Sequence, residues 1–385
     1  MNDFIYLNDA ATSYPKPLNI ISSIEKFLEK PIIDSHRTNI KHDLEHFDIV
    51  NRCRKEISIL FNVSNYNNVI FTSGATESLN LVLFGLPLEG KHIITTAVEH
   101  NSVLRPLKTL ERDGKITLST VECNKFGEIS PNTILEAIKP NTIAVVINHC
   151  SNVTGVINDI EKIGSITKDN NLIFIVDASQ SAGLYSIDVQ KFNIDFLIFT
   201  GHKSLFGIPG IGGVCINKNY KPKPLKIGGT GIHSDYLFQP EDIPLYYEAG
   251  TLNIVGILSI YEGIKYIKEI GMDKIRKKKE QTVDQIVDFM SKNNKISLYP
   301  SKSYHSKTTL FSFTIKGLDV EDIGYILENN FKIIVRTGLH CAPLIHEYIG
   351  TYPSGTVRVS PSYFTSENEI EKFEQAINSI LNMLS

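Results

Sequence analysis

The sequence lacks several features that would place a protein in a membrane or on nucleic acid. No apolar stretch in its 385 residues approaches the roughly 20 residues of a membrane-spanning helix. The start of the chain has neither a basic segment nor the apolar core of a signal peptide. The formal net charge of −3 gives no reason to expect nucleic acid or an anionic membrane as a partner.

Cysteine is scarce, and the cysteines are scattered. They form no CxxC pair and are odd in number, which argues against a disulfide framework or a zinc site and favours a reducing compartment. We therefore predict a cytoplasmic protein without a metal site. The sequence also lacks a GxGxxG motif after a strand, which argues against a dinucleotide site. The five cysteines are Cys53, Cys123, Cys150, Cys215 and Cys341.

The order of apolar segments predicts an α/β fold in a chain long enough for two hydrophobic cores. Strand-like runs alternate with helical patterns up to about residue 253, which is typical of a mainly parallel sheet with helices on both faces. The last two strands lack a helix between them, so one edge of the sheet is expected to be antiparallel. The predicted strands are Val69–Phe71, His92–Thr95, Ile116–Val121, Ile143–Ile147, Leu172–Val176, Phe196–Phe199 and Gly213–Ile216.

Longer helical patterns and weaker strands in the rest of the chain predict a smaller α+β domain. Its final helix is expected to begin at Ser366, because Ser366 and Glu369 have the spacing of a capping box. We predict a large domain over residues 15–255 and a small domain made of residues 1–14 and 256–385.

Two segments that follow apolar strands carry side chains suited to catalysis. Lys203 lies in a glycine-rich turn after the strand Phe196–Phe199, and Asp177 follows the strand Leu172–Val176. Open α/β sheets bind ligands at the carboxyl ends of their strands, so the two residues are expected to share a site. A desolvated lysine can form a Schiff base, although a solvated loop lysine would fit the segment equally well. Pyridoxal phosphate enzymes pair such a lysine with a carboxylate.

The segments Asp177-Ala178-Ser179-Gln180 and Thr200-Gly201-His202-Lys203 resemble the class V aminotransferase family, in particular its cysteine desulfurases. The resemblance extends from Leu7 to the C-terminal helix. It implies pyridoxal 5'-phosphate as the cofactor and the pyridoxal-phosphate-dependent transferase fold of type I. It also implies that Lys203 forms the Schiff base with the cofactor and that Asp177 binds the ring nitrogen.

The cofactor phosphate is expected at the start of a helix. The segment from Phe71 to Ser78 leads from a strand into a helix through small and hydroxylic residues. Amide groups at a helix N-terminus favour a phosphate, although an ordinary helix cap would have the same residues. The resemblance assigns the phosphate to Ala75, Thr76, Thr200, His202 and, from the neighbouring subunit of a homodimer, Thr251.

Three further polar residues are assigned to the cofactor ring by the resemblance. A lone histidine is more often structural, but the family has a histidine in this Glu-His context that stacks on the ring, which implies this role for His100. Asn152 lies in a turn that follows the strand Ile143–Ile147, where the family has an asparagine beside the ring oxygen and the substrate. Gln180 corresponds to the other hydrogen-bond donor to that oxygen.

One cysteine near the end of the chain has neighbours that suit reactivity. Cys341 lies between His340 and Ala342, with Arg336 close in sequence, and cationic neighbours favour the thiolate; an isolated cysteine would more often be inert. The pattern R-x-G-x-H-C-A resembles group II (SufS-type) desulfurases, in which this cysteine takes sulfur from the substrate. The family uses an arginine at the position of Arg358 for the α-carboxylate of the substrate, and arginine binds carboxylates in a bidentate manner.

The resemblance implies an enzyme that converts L-cysteine to L-alanine and passes a persulfide on Cys341 to an acceptor, such as a sulfur-acceptor protein. A selenocysteine lyase acting on L-selenocysteine, another class V aminotransferase or lyase, and a catalytically silent relative that binds a sulfur-carrier protein are alternatives. Two segments depart from the family pattern. His36-Arg37 matches an entry segment only in part, and Leu344–Thr356 differs from well-known group II members, which leaves the substrate and the acceptor open.

Overall fold

The computed structural model describes residues 4–29, 44–218, 220–232, 235–300 and 308–384. Each of the seven strands predicted for the large domain is present within one residue of its expected bounds. The strands are β1 Ile5–Tyr6, β2 Val69–Thr72, β3 Lys91–Thr96, β4 Ile116–Val121, β5 Thr142–Asn148, β6 Ile173–Asp177, β7 Phe196–Thr200, β8 Gly212–Ile216, β9 Ile296–Tyr299, β10 Phe311–Ile315, β11 Ile333–Ile334 and β12 Val357–Val359.

Strands β2 to β8 form one mixed sheet in the order β2-β8-β7-β6-β5-β3-β4. All pairs from β7 to β4 are parallel, whereas β8 is antiparallel to both of its neighbours, β7 and β2. The predicted α/β class with a mainly parallel sheet is confirmed. The antiparallel strand β8 was expected at the edge of the sheet. It lies one position inside that edge, because β2, from much earlier in the chain, pairs with its outer side.

Helices cover both faces of this sheet, and β6 shows why. Phe174 and Val176 belong to the hydrophobic core that contains α1, α2, α6 and α7, whereas Ile173 and Ile175 belong to the core that contains α3 and α4. Successive side chains of a strand point to opposite faces, so a strand that is apolar throughout is buried on both. The helices are α1 Leu18–Leu28, α2 Leu44–Phe61, α3 Ala75–Gly85, α4 Asn101–Arg112, α5 Pro131–Glu136, α6 Ile160–Asp169, α7 Ile254–Ile270, α8 Met272–Met290, α9 Val320–Phe331, α10 Pro343–Tyr348 and α11 Glu367–Asn382.

The C-terminal part has the predicted α+β character. Strands β12, β10 and β9 form an antiparallel sheet in that order, and β1 pairs in parallel with β11. The capping box is confirmed, since Ser366 and Glu369 bond to each other's backbone N–H groups at the start of α11. The short elements β9 and α10 were not predicted, because four to six residues contain too little periodicity to identify an element.

A separate hydrophobic core lies in the C-terminal part. It contains side chains of α8, α9 and α11 together with Ile5 and Leu7 from the start of the chain. Helix α7 packs instead in the core of the large sheet with α1 and α2. The domain bounds at residues 15 and 255 therefore stay a prediction. None of the helices in the described ranges is long and apolar enough to cross a membrane.

Candidate active site

A cavity of about 370 Å³ lies at the carboxyl ends of the central parallel strands. The last residues of β5, β6 and β7 line it, as expected for a ligand site of an open α/β sheet. Among the predicted site residues, only Cys341 and Thr251 are outside this lining. The predicted residues that line the cavity are Ala75, Thr76, His100, Asn152, Asp177, Gln180, Thr200, His202, Lys203 and Arg358.

Lys203 enters the cavity from the turn between β7 and β8. Burial lowers the pKa of Lys203 to about 8; Asp177 opposes this shift, and Arg358 and Arg336 increase it. Near pH 8 a large fraction of the amine is therefore neutral, which is the form that attacks a carbonyl group. The turn packs closely on α7, because a Cβ atom at Gly201 would lie 2.8 Å from the Ile260 side chain.

Asp177 ends β6 and presents a buried carboxylate to the same cavity. Its Oδ1 atom accepts hydrogen bonds from the backbone N–H of Ser179, at 2.9 Å, and from the Ser179 hydroxyl group. These bonds orient the carboxylate and leave Oδ2 for another donor. A protonated pyridine nitrogen is a donor of this kind.

The start of α3 forms the other end of the cavity. Gly74 and Ala75 line it beside His202, and the free amides of a helix start favour an anion. The Nδ1 atom of His202 is buried and has no hydrogen-bond partner in the described part of the chain. Burial lowers the pKa of His202 to about 4, and Lys203 and Lys16 add to this shift, so the ring is neutral. A phosphate would give this unpaired nitrogen a partner.

His100 caps helix α4 with its ring. Its Nδ1 atom accepts a hydrogen bond of 3.0 Å from the backbone N–H of Ser102, so the neutral ring has its proton on Nε2. Burial lowers the pKa of His100 to about 4, with further lowering by Lys203 and the two arginines of the cavity, which outweigh the opposite effect of Asp177. The ring therefore contributes a neutral aromatic face to the cavity.

The two predicted amide donors are bonded within the protein. Asn152 Nδ2 donates to the backbone oxygen of His340 at 2.7 Å, and Gln180 Nε2 donates to the backbone oxygen of Ala10 at 3.0 Å. Each amide nitrogen has a second hydrogen. Both residues line the cavity, but their roles beside a ring oxygen stay a prediction.

Arg358 lies at the centre of β12 and is 1% exposed. Its Nη1 atom donates to the backbone oxygen of Asn152 at 2.9 Å, and its Nη2 atom donates to Asn8 Oδ1 at 3.1 Å. Burial lowers the pKa of Arg358 to about 9, and neighbouring Arg336 adds to this shift. Both arginines line the cavity, which gives this wall the positive charge that a carboxylate requires.

Cys341 lies next to Arg336 in a tightly bonded turn. Its Sγ atom accepts a hydrogen bond of 3.0 Å from Arg336 Nη2, and its backbone oxygen accepts one of 2.6 Å from Asn101. His340 and Cys341 both have left-handed backbone conformations, with φ of 50° and 59°, which are uncommon for residues other than glycine. The thiol lines a second cavity of about 320 Å³ that shares Thr76 and His100 with the first.

Thr251 is exposed in this single chain and does not line either of the two cavities described above. The segment that contains it is attached to the sheet by Glu248, which forms a buried ion pair with Arg54. Asn253 then caps α7 by accepting from Gly256 N–H at 2.9 Å. The expected contact of Thr251 with the phosphate of a neighbouring subunit stays a prediction.

The N-terminal segment is a part of the site that was not predicted from the sequence. Ala10 and Ala11 line the cavity, and Lys16 donates to the backbone oxygen of His202 at 3.1 Å. The small residues that follow the short strand were a usable signal, since small side chains often occur where a ligand lies close to the backbone. His36-Arg37 lies outside the described residues. The described residues contain no cluster of three or more side chains that could bind a metal ion.

Comparison with known proteins agrees with the resemblance noted in the motifs. The family model for class V aminotransferases matches residues 5–373. Two relatives are named probable cysteine desulfurase. The one from Pyrococcus abyssi is 32% identical over 99% of this chain and 95% of its own length. The one from Borreliella burgdorferi is 31% identical over 99% of this chain and 92% of its own length.

A solved structure gives the same result for the fold. The apo structure of a cysteine desulfurase from Thermococcus onnurineus is 31% identical in sequence and superimposes with a TM-score of 0.92 over 99% of this chain and 95% of that one. The expected fold of type I is thereby confirmed. With the family match over nearly the whole length, this chain belongs to the class V aminotransferase family.

Proposed function

We propose that this chain is a pyridoxal 5'-phosphate-dependent cysteine desulfurase, which converts L-cysteine to L-alanine and retains the sulfur as a persulfide on Cys341. The observation that carries the proposal is the presence of Lys203, Asp177 and Arg358 in one cavity, with Cys341 bonded to Arg336 of its wall. Relatives at 32% and 31% identity that are named probable cysteine desulfurase support the same reaction.

The donor set of the cavity fits this cofactor. Lys203 supplies an amine that is partly neutral near pH 8, and Asp177 supplies a carboxylate for the ring nitrogen. His202 has an unpaired ring nitrogen near the start of α3, which suits a phosphate. When bound, pyridoxal 5'-phosphate supplies an electron sink for the charge that develops on the substrate. The other residues that would hold it are Ala75, Thr76, His100, Asn152, Gln180, Thr200 and, from the partner subunit of a homodimer, Thr251.

Arg358 would bind the α-carboxylate of the substrate. Its guanidinium group is buried and positively charged, and its hydrogen bonds go to neutral oxygens. A bidentate contact with a carboxylate would fix the orientation of the amino acid. Asn152, whose backbone oxygen orients this arginine, would lie beside the bound substrate.

Lys203 and Cys341 would carry the chemical steps. The Lys203 amine, whose pKa of about 8 lies near neutrality, would take a proton from the substrate Cα and later return one. The Cys341 thiolate would attack the substrate sulfur, so that an S–S bond forms and the C–S bond breaks. The electron pair of the broken bond stays on the substrate carbon, which takes a proton, and the product is alanine. A thiol of an acceptor, such as an acceptor protein, would then remove the persulfide sulfur.

The proposal includes a homodimer, because Thr251 is exposed in the single chain and does not line the cavity of its own subunit. Symmetric dimers are the commonest oligomers of soluble proteins. The cytoplasmic setting inferred from cysteine usage stays a prediction.

The decisive experiment replaces Cys341 by serine and follows alanine and protein-bound persulfide after addition of L-cysteine. Cys341→Ser should still bind the cofactor and still change its absorption when L-cysteine is added, but should lose alanine production and the persulfide together. Cys123→Ser is the matched control, because Cys123 is buried after β4 outside both cavities and burial raises the pKa of its thiol to about 12. This control should keep full activity.

The same experiment separates the alternatives. An aminotransferase would be indifferent to Cys341 and would convert the cofactor to its pyridoxamine form. A selenocysteine lyase would prefer L-selenocysteine, and activity on that substrate could partly survive in Cys341→Ser because selenium leaves more easily. A catalytically silent relative would show no turnover even in the wild type. Full alanine production by Cys341→Ser would refute the mechanism proposed here.

A further inference from the structure

The buried guanidinium group of Arg358 has an unusual set of partners. Its guanidinium group donates hydrogen bonds to the carbonyl oxygen of Asn152 and to the amide oxygen of Asn8. Its Nε atom is buried and has no hydrogen-bond partner among the described residues. A buried arginine is normally paired with a carboxylate. Within the described ranges, the charge is oriented by neutral oxygens and has no carboxylate in an ion pair with it.

Asp9 and Asp177 are bonded to residues other than Arg358. Asp9, the residue next to Asn8, forms a buried ion pair with Lys279 at 2.6 Å, with side-chain exposures of 4% and 6%. Asp177 accepts two hydrogen bonds from Ser179. Arg336, which pairs with Arg358 through backbone hydrogen bonds, adds a second positive charge. The wall is therefore positive where the proposed substrate presents its carboxylate.

Asn8 is held in place by its backbone neighbours. Leu7 donates to the Ile334 oxygen at 2.9 Å, and Ser360 donates to the Leu7 oxygen at 2.9 Å. On the other side, Asp9 donates to the Ser360 oxygen at 3.0 Å. This segment is fixed between β11 and the end of β12. These bonds fix the backbone of Asn8 beside Arg358, and the Asn8 amide oxygen accepts the hydrogen bond from Arg358 Nη2.

We propose that Asn8 is a positioning residue that orients Arg358 while leaving its charge available for the α-carboxylate of an amino-acid substrate. This role rests on the proposed function, because it requires a substrate with an α-carboxylate. An amide is suited to the role, since it accepts a hydrogen bond without adding negative charge. An aspartate of the same size would also accept the bond from Nη2, but it would neutralise the guanidinium group and compete with the substrate.

The test is Asn8→Asp in the full-length protein with cofactor bound, compared with the wild type. Binding of L-cysteine and of L-alanine is measured by titration of the cofactor absorption, with cysteamine and ethylamine as amines that lack a carboxylate. We expect at least tenfold weaker binding of both amino acids, unchanged binding of both amines, and a Tm that is equal to or higher than that of the wild type. If Asn8 had a purely structural role, the substitution would lower the Tm and weaken the binding of all four ligands equally.

Asn65→Asp is the matched control, because Asn65 is exposed and caps a short 3₁₀ helix at the opposite end of the sheet, before β2. It adds the same charge and should change no binding constant. If Asn8→Asp does not fold, Asn8→Ala should bind the amino acids about three- to tenfold more weakly, again with unchanged amine binding.

The results separate this inference from the proposed function. Wild-type protein that binds the cofactor but neither amino acid would contradict the proposed function and remove the basis for a role of Asn8. Wild-type protein that binds L-alanine, together with an Asn8→Asp variant that binds it within twofold of the wild type, would overturn the role of Asn8 alone. Equal weakening of amino acids and amines would also overturn it.

Discussion

Neutralising one partner of the buried ion pair between Arg54 and Glu248 should destabilise the protein strongly. The two side chains are 2% and 3% exposed, and the pair joins helix α2 to the segment that contains Thr251. Arg54 also donates to the backbone oxygen of Val69, and Glu248 accepts from the backbone N–H of Phe71 at 2.7 Å. The pair therefore connects three segments, one of which is the edge strand β2.

The size of the effect follows from burial. Glu248→Gln keeps the shape of the side chain but leaves the Arg54 charge buried without a counter-charge, which typically costs about 3–5 kcal/mol. At about 2.1 cal/mol/K per residue, the unfolding entropy of 385 residues corresponds to roughly 0.8 kcal/mol per degree. The Tm should accordingly fall by about 4–6 °C when the chain unfolds as one unit.

The measurement is differential scanning calorimetry at one fixed scan rate with saturating cofactor. The double variant Arg54→Met/Glu248→Leu removes both charges and should recover part of the loss, because no charge is left unpaired. The recovery is incomplete because the Val69 oxygen and the Phe71 N–H lose their side-chain partners. Glu111→Gln is the control, since its partner Lys108 is 54% exposed and Glu111 itself is 36% exposed, and such pairs contribute at most about 1 kcal/mol. A fall in Tm of less than about 1 °C in Glu248→Gln would refute this reasoning. A double variant that is less stable than either single variant would also refute it.

Two further predictions concern the cavity. The pKa of Lys203 is about 8 in the folded chain and 10.5 when unperturbed, so the unfolded state binds more protons between these two pH values. The free energy of unfolding of the cofactor-free protein, measured with urea, should therefore rise with pH across this window. Lys203→Met should flatten the rise, and an equal slope in both proteins would contradict the lowered pKa of Lys203. Thr251→Ala should weaken cofactor retention. Mixing this variant with inactive Lys203→Ala subunits should restore some activity, because one of the two sites of the mixed dimer would have both residues intact. An active monomer in sedimentation would exclude a shared site.

Local sequence patterns predicted most of the secondary structure. The strands of the large sheet were recognisable because apolar runs such as Leu172–Val176 end at polar residues, and α11 was recognisable from its capping box. The position of β8 between β7 and β2 was not predictable in the same way. Strand order depends on which strands pair when the chain folds. The apolar pattern of a strand does not indicate which neighbour it will pair with.

The sequence by itself determined the chemical inventory of the site. Lys203 and Asp177 follow strands of one parallel sheet, so their shared location at its carboxyl end follows from topology and was expected. The R-x-G-x-H-C-A pattern and the family resemblance indicated Cys341 and Arg358, and the structure places Arg358 in the cavity and Cys341 in the adjoining one. These features depend on residue type and on spacing within short segments.

Only the tertiary structure decided how the charges of the site are arranged. Asn8 and Arg358 are 350 residues apart in sequence, and Asp9 and Lys279 are 270 apart, so no local pattern relates them. Their contacts exist because β1 is inserted beside β11 and the end of β12. Burial then shifts the pKa of Lys203 and leaves Arg358 with neutral partners. Desolvation depends on every surrounding side chain, which is why it arises only when the whole chain has folded.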